Sequence, residues 1–483
     1  MTKDKVSNGA SFLGSVLKYS VSTWVNAGIV GLSLILGTRF LGPEVYGDYD
    51  VFANAASTIM AISAIGLDQA YMRFYNEPPK GIGTSKNLAS NCLAVSLFSL
   101  FIISIIFAFF SSFFSNLFFG KYSIILLVLL LADSLFLLVM RYFSISARMQ
   151  NNILLFTVQS ILLQFFNRLF CLVGAAIDHS FKLTVLFNVA GLGIFSVVFF
   201  FLHKNSVLPK KFQFDFKAFS PVLIYGLGLA PAAILNWGNS LFAKLYVTKA
   251  LGSSQNGIFS SVALLSFALA VVQGGFNTYW SAYMYKNYRQ KQKEITRVHD
   301  FVMLGTMVLM TALIAAAPLI FLFVGREFRL GRGIFGLMLF SPMLLIISET
   351  TVYGIEISKK TFYNTIGMLL SFISNILLCI IFIPTLGVVG AALSLAVSAL
   401  IMFIFRTVVA QNLYRTMESP IKSVISILLM AVLCIVSFLF SDNIPIVTAA
   451  SLLSLAFYLI LYRREAVSMA GIIKSFIFPE KRP

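Results

Sequence analysis

Charge is scarce in this chain and acid scarcer still: Asp and Glu number 18 among 483 residues, charged residues make up 11%, and only 3 His and 4 Cys occur. Cys92, Cys171, Cys379 and Cys434 lie singly inside apolar runs, with no CxxC pair and no histidine at ligand spacing, so they read as small hydrophobes. His179, His203 and His299 stand alone at loop edges, which argues against a zinc or haem site, and no cofactor or metal is expected. The sequence also lacks GxxxxGK[ST], GxSxG, HExxH and a Gly-rich dinucleotide turn, so P-loop ATP hydrolysis is excluded and the chain reads as a non-enzyme. The longest stretches between apolar runs, near 282–299, 204–218 and 410–421, are too short to fold as domains.

What is present in quantity is hydrocarbon. Hydrophobic residues reach 59%, Phe alone fills 49 positions and mean hydropathy is +0.90, more than a soluble chain of this length can bury. The apolar runs match the roughly 20 residues that carry a helix across about 30 Å of bilayer. They fall at 14–38, 47–72, 88–114, 122–141, 153–176, 183–203, 219–247, 257–281, 300–324, 333–356, 363–383, 386–409, 422–440 and 444–462. The expected fold is therefore an all-α polytopic membrane protein of about 14 transmembrane helices.

Loop charge orients it. With both termini cytoplasmic, 27 of the 36 Lys and Arg fall on the inner face and 8 on the outer, with Arg168 in mid-span. That asymmetry over short loops follows the positive-inside rule. The net charge of +18 thus reflects topology and anionic lipid, as in Lys286, Arg289, Lys291, Lys293 and Arg297, and implies no nucleic acid. No cleavable signal is expected, since the first apolar run after Lys3 and Lys5 leads straight into further spans.

The chain repeats itself. Thr38-Arg39-Phe40-Leu41-Gly42-Pro43-Glu44-Val45-Tyr46-Gly47-Asp48-Tyr49 aligns without a gap, at an offset of 210, with Thr248-Lys249-Ala250-Leu251-Gly252-Ser253-Ser254-Gln255-Asn256-Gly257-Ile258-Phe259. The shared pattern is Thr, a cation, Leu-Gly, a spacer, Gly and an aromatic, and the offset also pairs Asn26 with Asn236 and Gly28 with Gly238. A similar offset relates Tyr142 to Tyr353, so spans 1–6 correspond to 7–12 in parallel orientation, and spans 13–14 are an appended pair. The expected divisions are an N-lobe at 1–203, a cytoplasmic linker at 204–218, a C-lobe at 219–410, and the appended pair with a tail at 411–483.

Three segments carry a family likeness: Arg39-Phe40-Leu41-Gly42-Pro43-Glu44-Val45-Tyr46-Gly47-Asp48-Tyr49, Gly66-Leu67-Asp68-Gln69-Ala70, and Pro384-Thr385-Leu386-Gly387-Val388-Val389-Gly390-Ala391-Ala392. They resemble the polysaccharide transporters of the MOP flippase superfamily, which include the Wzx-type O-antigen and capsule-repeat flippases. The resemblance implies a V-shaped pair of six-helix lobes in the bacterial inner membrane. Alternating access would flip an undecaprenyl-diphosphate-linked oligosaccharide to the periplasmic leaflet. A glycan polymerase and chain-length machinery would be its partners.

Such a cargo needs cations and hydrogen-bonding groups facing a wet path. Span two offers Asp50, Asn54, Ser57, Ala61, Ala64 and Asp68 on one helical face, and span seven offers Asn236, Ser240 and Lys244. These stripes read either as cavity walls or as a small-residue packing seam. Diphosphate candidates are Lys244, Arg39, Lys249 and Arg168; Arg39 and Lys249 are equally readable as snorkelling anchors at helix ends, and Arg168 has a second reading. Asp133 and Arg168 sit at similar depth on neighbouring spans and are expected to pair, as a structural ion pair or as a coupling site. Glu349 and Glu356, seven residues apart, could serve similarly in the second lobe. Gly226, Gly228 and Pro231, with Pro318, Pro342 and Pro384, mark places where spans can bend. Two rival functions stand beside the flippase: a MATE-like small-molecule or multidrug exporter, and a membrane glycan polymerase or ligase. Against the last, the chain has duplicated lobes and no large outer loop.

Overall fold

A computed structural model describes residues 25–209, 212–267 and 269–468, and these are almost entirely helical. In chain order the helices are α1 (Val25–Phe40), α2 (Pro43–Ala64), α3 (Leu67–Phe74), α4 (Ser85–Phe109), α5 (Ser111–Phe119), α6 (Ile124–Met149), α7 (Ile153–Arg168), α8 (Cys171–Ile177), α9 (Phe181–Val207) and α10 (Phe216–Leu251). They continue as α11 (Ser253–Phe267), α12 (Ala270–Asn287), α13 (Gln292–Phe323), α14 (Arg332–Thr351), α15 (Tyr353–Ile357), α16 (Phe362–Leu386), α17 (Val388–Leu413), α18 (Pro420–Leu439) and α19 (Ile444–Leu461). The starts are written in the sequence. Thr84, Ser123, Asn152, Ser180, Asp215 and Asn443 each accept a hydrogen bond from a first-turn amide that the helix leaves unpaired.

Eleven helical segments among the described residues are long and apolar enough to cross a bilayer, and a twelfth is the pair α2–α3, bent by 52°. Each of the fourteen apolar runs is helical over most of its described residues. The first is shortened because residues 1–24 lie outside the described ones, and the eighth is divided between α11 and α12. The bend in α2–α3 comes at Ile65 and Gly66, both at positive φ, where Gly66 takes the left-handed conformation at little cost.

The chain folds as two compact units, Met1–Ser260 and Ser261–Pro483. In the first, α6 packs on α2, α7 and α9, and α10 lies along α2 and α3. Two close backbone approaches fix α2–α3 in place. At the break, a methyl group added at Gly66 would land on the Gly226 carbonyl oxygen. At the other end of α2 the duplicated turns meet each other: a methyl at Gly47 would strike the Ser253 carbonyl, and one at Gly257 the Pro43 carbonyl. Gly47 and Gly257 are related by the repeat offset, and so are Pro43 and Ser253, so the contact is reciprocal, as across a two-fold axis. Asn256 Nδ2 donates to the Gly47 carbonyl at 2.9 Å across the same crossing.

In the second unit α14 is the central post, 72% buried over its most apolar stretch, flanked by α13, α17 and α18. Helix α19 is 11% buried and packs on α13 and α18, so the appended pair is docked on one flank with most of α19 left to lipid. Polar ties hold it there: Lys422 on α18 bonds Asp300 on α13 at 3.2 Å and reaches Glu465 at 3.6 Å, while Arg332 on α14 meets Asp442 at 3.0 Å. Pro318, Pro342 and Pro384 lie within α13, α14 and α16, which run on through them.

The glycine crossing yields a direct expectation. Gly47→Ala and Gly257→Ala should each destabilise the folded protein by about 1–3 kcal/mol or more, because a methyl meets rigid backbone. Gly28→Ala, which would meet nothing within 4 Å, should be tolerated. Thermal unfolding of the purified variants in one detergent measures the difference.

Candidate functional site

The sequence places an acid and a cation on the two facing helices, and the fold joins them. Lys244 Nζ on α10 lies 2.8 Å from Asp50 Oδ2 on α2, with side chains only 10% and 20% exposed. Ser260 Oγ donates to the same Asp50 oxygen at 2.7 Å and stands 3.3 Å from Asn256 Oδ1. Asn54, one turn along α2, donates to the Asp50 carbonyl at 2.8 Å and to Oδ1 at 3.2 Å, and Ser240 reaches Asn54 Oδ1 at 3.4 Å. Thus Lys244, Ser240 and Asn54 come together, around the carboxylate of Asp50.

Chemically this is a neutralised charge pair with spare hydrogen-bonding capacity. A lone ammonium or carboxylate in a low-dielectric site costs several kcal/mol, and the pair with its hydroxyl and amide donors offsets that cost. Lys244 retains donors for another acceptor, and Asp50 keeps two donors of its own if Lys244 turns away.

The other sequence candidates are placed differently. Asn236 lies on α10 two turns inside Lys244 and is exposed; Arg39 and Lys249 are exposed at the ends of α1 and α10. Asp68 is far along the α2–α3 stripe, where Arg141 grips its Oδ2 through Nη2 at 2.9 Å and Nε at 3.1 Å. Between the two ends, Ala61 and Ala64 are buried, so that part of the stripe is a packing seam.

The expected ion pair between Asp133 and Arg168 is not formed. Arg168 is the last residue of α7, and depth along neighbouring helices does not fix which way each side chain faces: Asp133 on α6 is met by α9 instead. Arg168 Nε is buried without a hydrogen-bond partner. Asp133 is 1% exposed and accepts instead from Asn188 Nδ2 at 3.4 Å, and Tyr49 Oη donates to Asn188 Oδ1 at 3.0 Å. Glu349 accepts from Gln273 Nε2 at 2.8 Å and from Asn277 Nδ2, while Glu356 accepts from Tyr285 Oη at 2.7 Å. Both carboxylates therefore meet one helix, α12. His299 is not at a loop edge: it is fully buried in α13, 2.7 Å from Thr350 Oγ1 and 3.0 Å from Ser423 Oγ, because α14 and α18 close over it.

Three participants are not evident from sequence alone. Asp50 stands in a polar stripe, but nothing in the stripe marks it as a counter-ion; Ser260 lies in an apolar run, although it is Asp50 displaced by the repeat offset. Arg406, near the end of the apolar run 386–409, lies within α17 and donates to Asn364 Oδ1 at 3.1 Å. Its position at the end of an apolar run is the available signal.

No protein-family model matches the sequence, and no curated protein matches it. Solved structures do. The lipid II flippase MurJ in an inward closed conformation superposes with a TM-score of 0.70 at 17% identity, covering 92% of this chain and 99% of MurJ. An inward-facing multidrug-resistance MATE transporter of the MOP superfamily gives 0.55 at 14% identity, over 81% of this chain and 94% of that one. A mutant of the Vibrio cholerae MATE transporter VcmN gives 0.52 at 13%, over 83% and 98%. The described residues form the all-helical fold of a multi-pass membrane protein, similar to that of the MurJ and MATE structures.

The pair at Lys244 can be tested for stability alone. Lys244→Met or Asp50→Leu strands a partly buried charge and should cost roughly 3–5 kcal/mol, whereas the double substitution should recover most of the loss. Thermal unfolding of the two single variants, the double variant and the parent gives the coupling; equal, additive losses would show that the pair is not a unit.

Proposed function

We infer that the protein is a flippase: it moves an undecaprenyl-diphosphate-linked oligosaccharide, an O-antigen or capsular repeat unit, from the cytoplasmic to the outer leaflet by alternating access. The observation that carries this reading is the Lys244–Asp50 pair, a cation held between two spans by a carboxylate that phosphate can replace. A diphosphate brought into hydrocarbon needs positive charge and donors. When its oxygen takes the place of Asp50 at Lys244, the released carboxylate still has Ser260 and Asn54 as donors, so the exchange leaves no bare charge. Before the cargo arrives, Asp50 keeps Lys244 neutralised, so the empty site is stable.

Fold likeness supports a lipid-linked cargo over a small molecule. The match to the protein named as a lipid II flippase takes in 92% of this chain, whereas the MATE match leaves about a fifth uncovered. On this reading the lobes are 1–203 and 219–410 joined by 204–218, with 411–483 appended. The protein lies in the bacterial inner membrane with both termini cytoplasmic, is not an enzyme, and hands its product to a glycan polymerase and chain-length machinery. Asp133 and Glu349, carboxylates held by amide groups, are its candidate coupling sites; Arg39 and Lys249 serve as interfacial anchors.

Proteoliposomes loaded with a defined undecaprenyl-diphosphate oligosaccharide, under imposed proton or sodium gradients, test the reading. The parent should expose the glycolipid on the far leaflet, and the folded Lys244→Met/Asp50→Leu double variant should lose at least about tenfold in rate, the worth of one charge-assisted phosphate contact. Flipping by the double variant at the parental rate would remove Lys244 from the pathway. Movement of cationic dyes without glycolipid would favour the exporter.

A further inference from the structure

The turn between α13 and α14 breaks the charge rule that the rest of the chain obeys. Arg326, Arg329 and Arg332 supply three of the eight cations on the sparsely charged face, all within seven residues. Arg329 caps α13, with Nη2 on the Leu322 carbonyl at 3.2 Å and Nε on that of Val324 at 3.4 Å. Arg332 does something else. It lines a shallow, open cleft bounded by α13, α14, α18 and the start of α19.

The lining has two chemistries. Ser441 and Thr448 line the same cleft as Arg332, Ser437 turns its hydroxyl to the Cys434 carbonyl at 2.8 Å, and Pro318 and Ile444 give the cleft apolar walls. Beyond the walls, Leu319, Leu322 and Phe323 are largely exposed, as lipid-facing residues are. A planar guanidinium and hydroxyl donors at the end of an apolar, lipid-facing cleft match a phosphodiester whose acyl chain lies along the helices.

We propose that this cleft binds one anionic phospholipid of the surrounding bilayer, its phosphate on Arg332 and its chain along α13 and α19, as a further tie holding the appended pair to α13–α14. The site lies at the opposite end of the second unit from His299 and Lys422, in the outer leaflet on the topology proposed above, and does not depend on what the protein transports. Asp442, with its carboxylate fully exposed and 3.0 Å from Arg332 Nη2, is the group the lipid phosphate displaces.

That competition makes the proposal testable in both directions. Full-length protein in mixed micelles is titrated with dioleoyl phosphatidylglycerol or dioleoyl phosphatidylcholine, and retained lipid is counted by native mass spectrometry. The parent should retain one phosphatidylglycerol in preference to phosphatidylcholine, Arg332→Gln should weaken that retention about tenfold, the loss of a charge-assisted bond, and Asp442→Asn should strengthen it. Equal retention of the two lipids would overturn the proposal, as would weaker retention in Asp442→Asn, since a purely structural ion pair is lost in both variants. Asp442→Asn keeps Arg332 and so decides the matter even if Arg332→Gln does not fold.

Discussion

The architecture of the first unit hangs on a backbone contact that only glycine permits. Gly47 and Gly257 let the first turns of α2 and α11 lie against one another, each glycine facing the carbonyl of the other repeat's first helical residue. In a bilayer, where lipid is as apolar as leucine, helices associate through such close approach and through polar contacts more than through hydrophobic burial. Once the two turns are locked, the side chains one turn further along are committed: Ser260 must meet Asp50, and α10, which ends at Gly252 with a φ of 90°, brings Lys244 to the same carboxylate. The ion pair is a consequence of the glycines.

That order of causes explains why the charges sit where they do. A lysine within a span is tolerable only beside an anion or in water, and here the anion comes from the neighbouring repeat. The same logic divides the other intramembrane charges into kinds. Asp68 is gripped by Arg141 and holds α3 to α6, whereas Asp133 and Glu349 are served by amide donors and, among the described residues, meet no cation within 4 Å. Asp68 thus ties two helices through a cation in direct contact, Asp50 shares its cation with a serine and an asparagine, and Asp133 and Glu349 rest on amide donors.

Much of this is legible in the sequence. Apolar run length gives the spans, and Thr84, Ser123, Ser180 and Asn443 mark their starts, because helix length and capping are local properties. The repeat is legible as well, though not its meaning: an offset of 210 says that two segments are alike, and only the fold says that they touch. Applied literally, the offset pairs Asp50 with Ser260, since groups near a pseudo-two-fold axis meet their own equivalents. What stays hidden are the pairings that depend on how a helix is turned about its axis and on which helices pack together. Counting along the helices sets Arg168 at the depth of Asp133, but depth does not set facing, and Asp133 meets Asn188 of α9. His299 looks like a loop residue because α13 runs beyond its apolar stretch, and the helices that bury it, α14 and α18, are distant in sequence.

On the proposed function, Asp50 occupies at Lys244 the place that the cargo's phosphate would take. Binding of undecaprenyl diphosphate to the parent and to Asp50→Asn, read by native mass spectrometry against undecaprenyl alcohol as the uncharged control, tests it most directly. Removing the competing charge while keeping the shape of the side chain should tighten diphosphate binding by about tenfold, the scale of one charge pair in a partly buried site, and leave the alcohol unchanged. Unchanged or weaker diphosphate binding by Asp50→Asn would contradict the exchange and leave the pair as a structural strut.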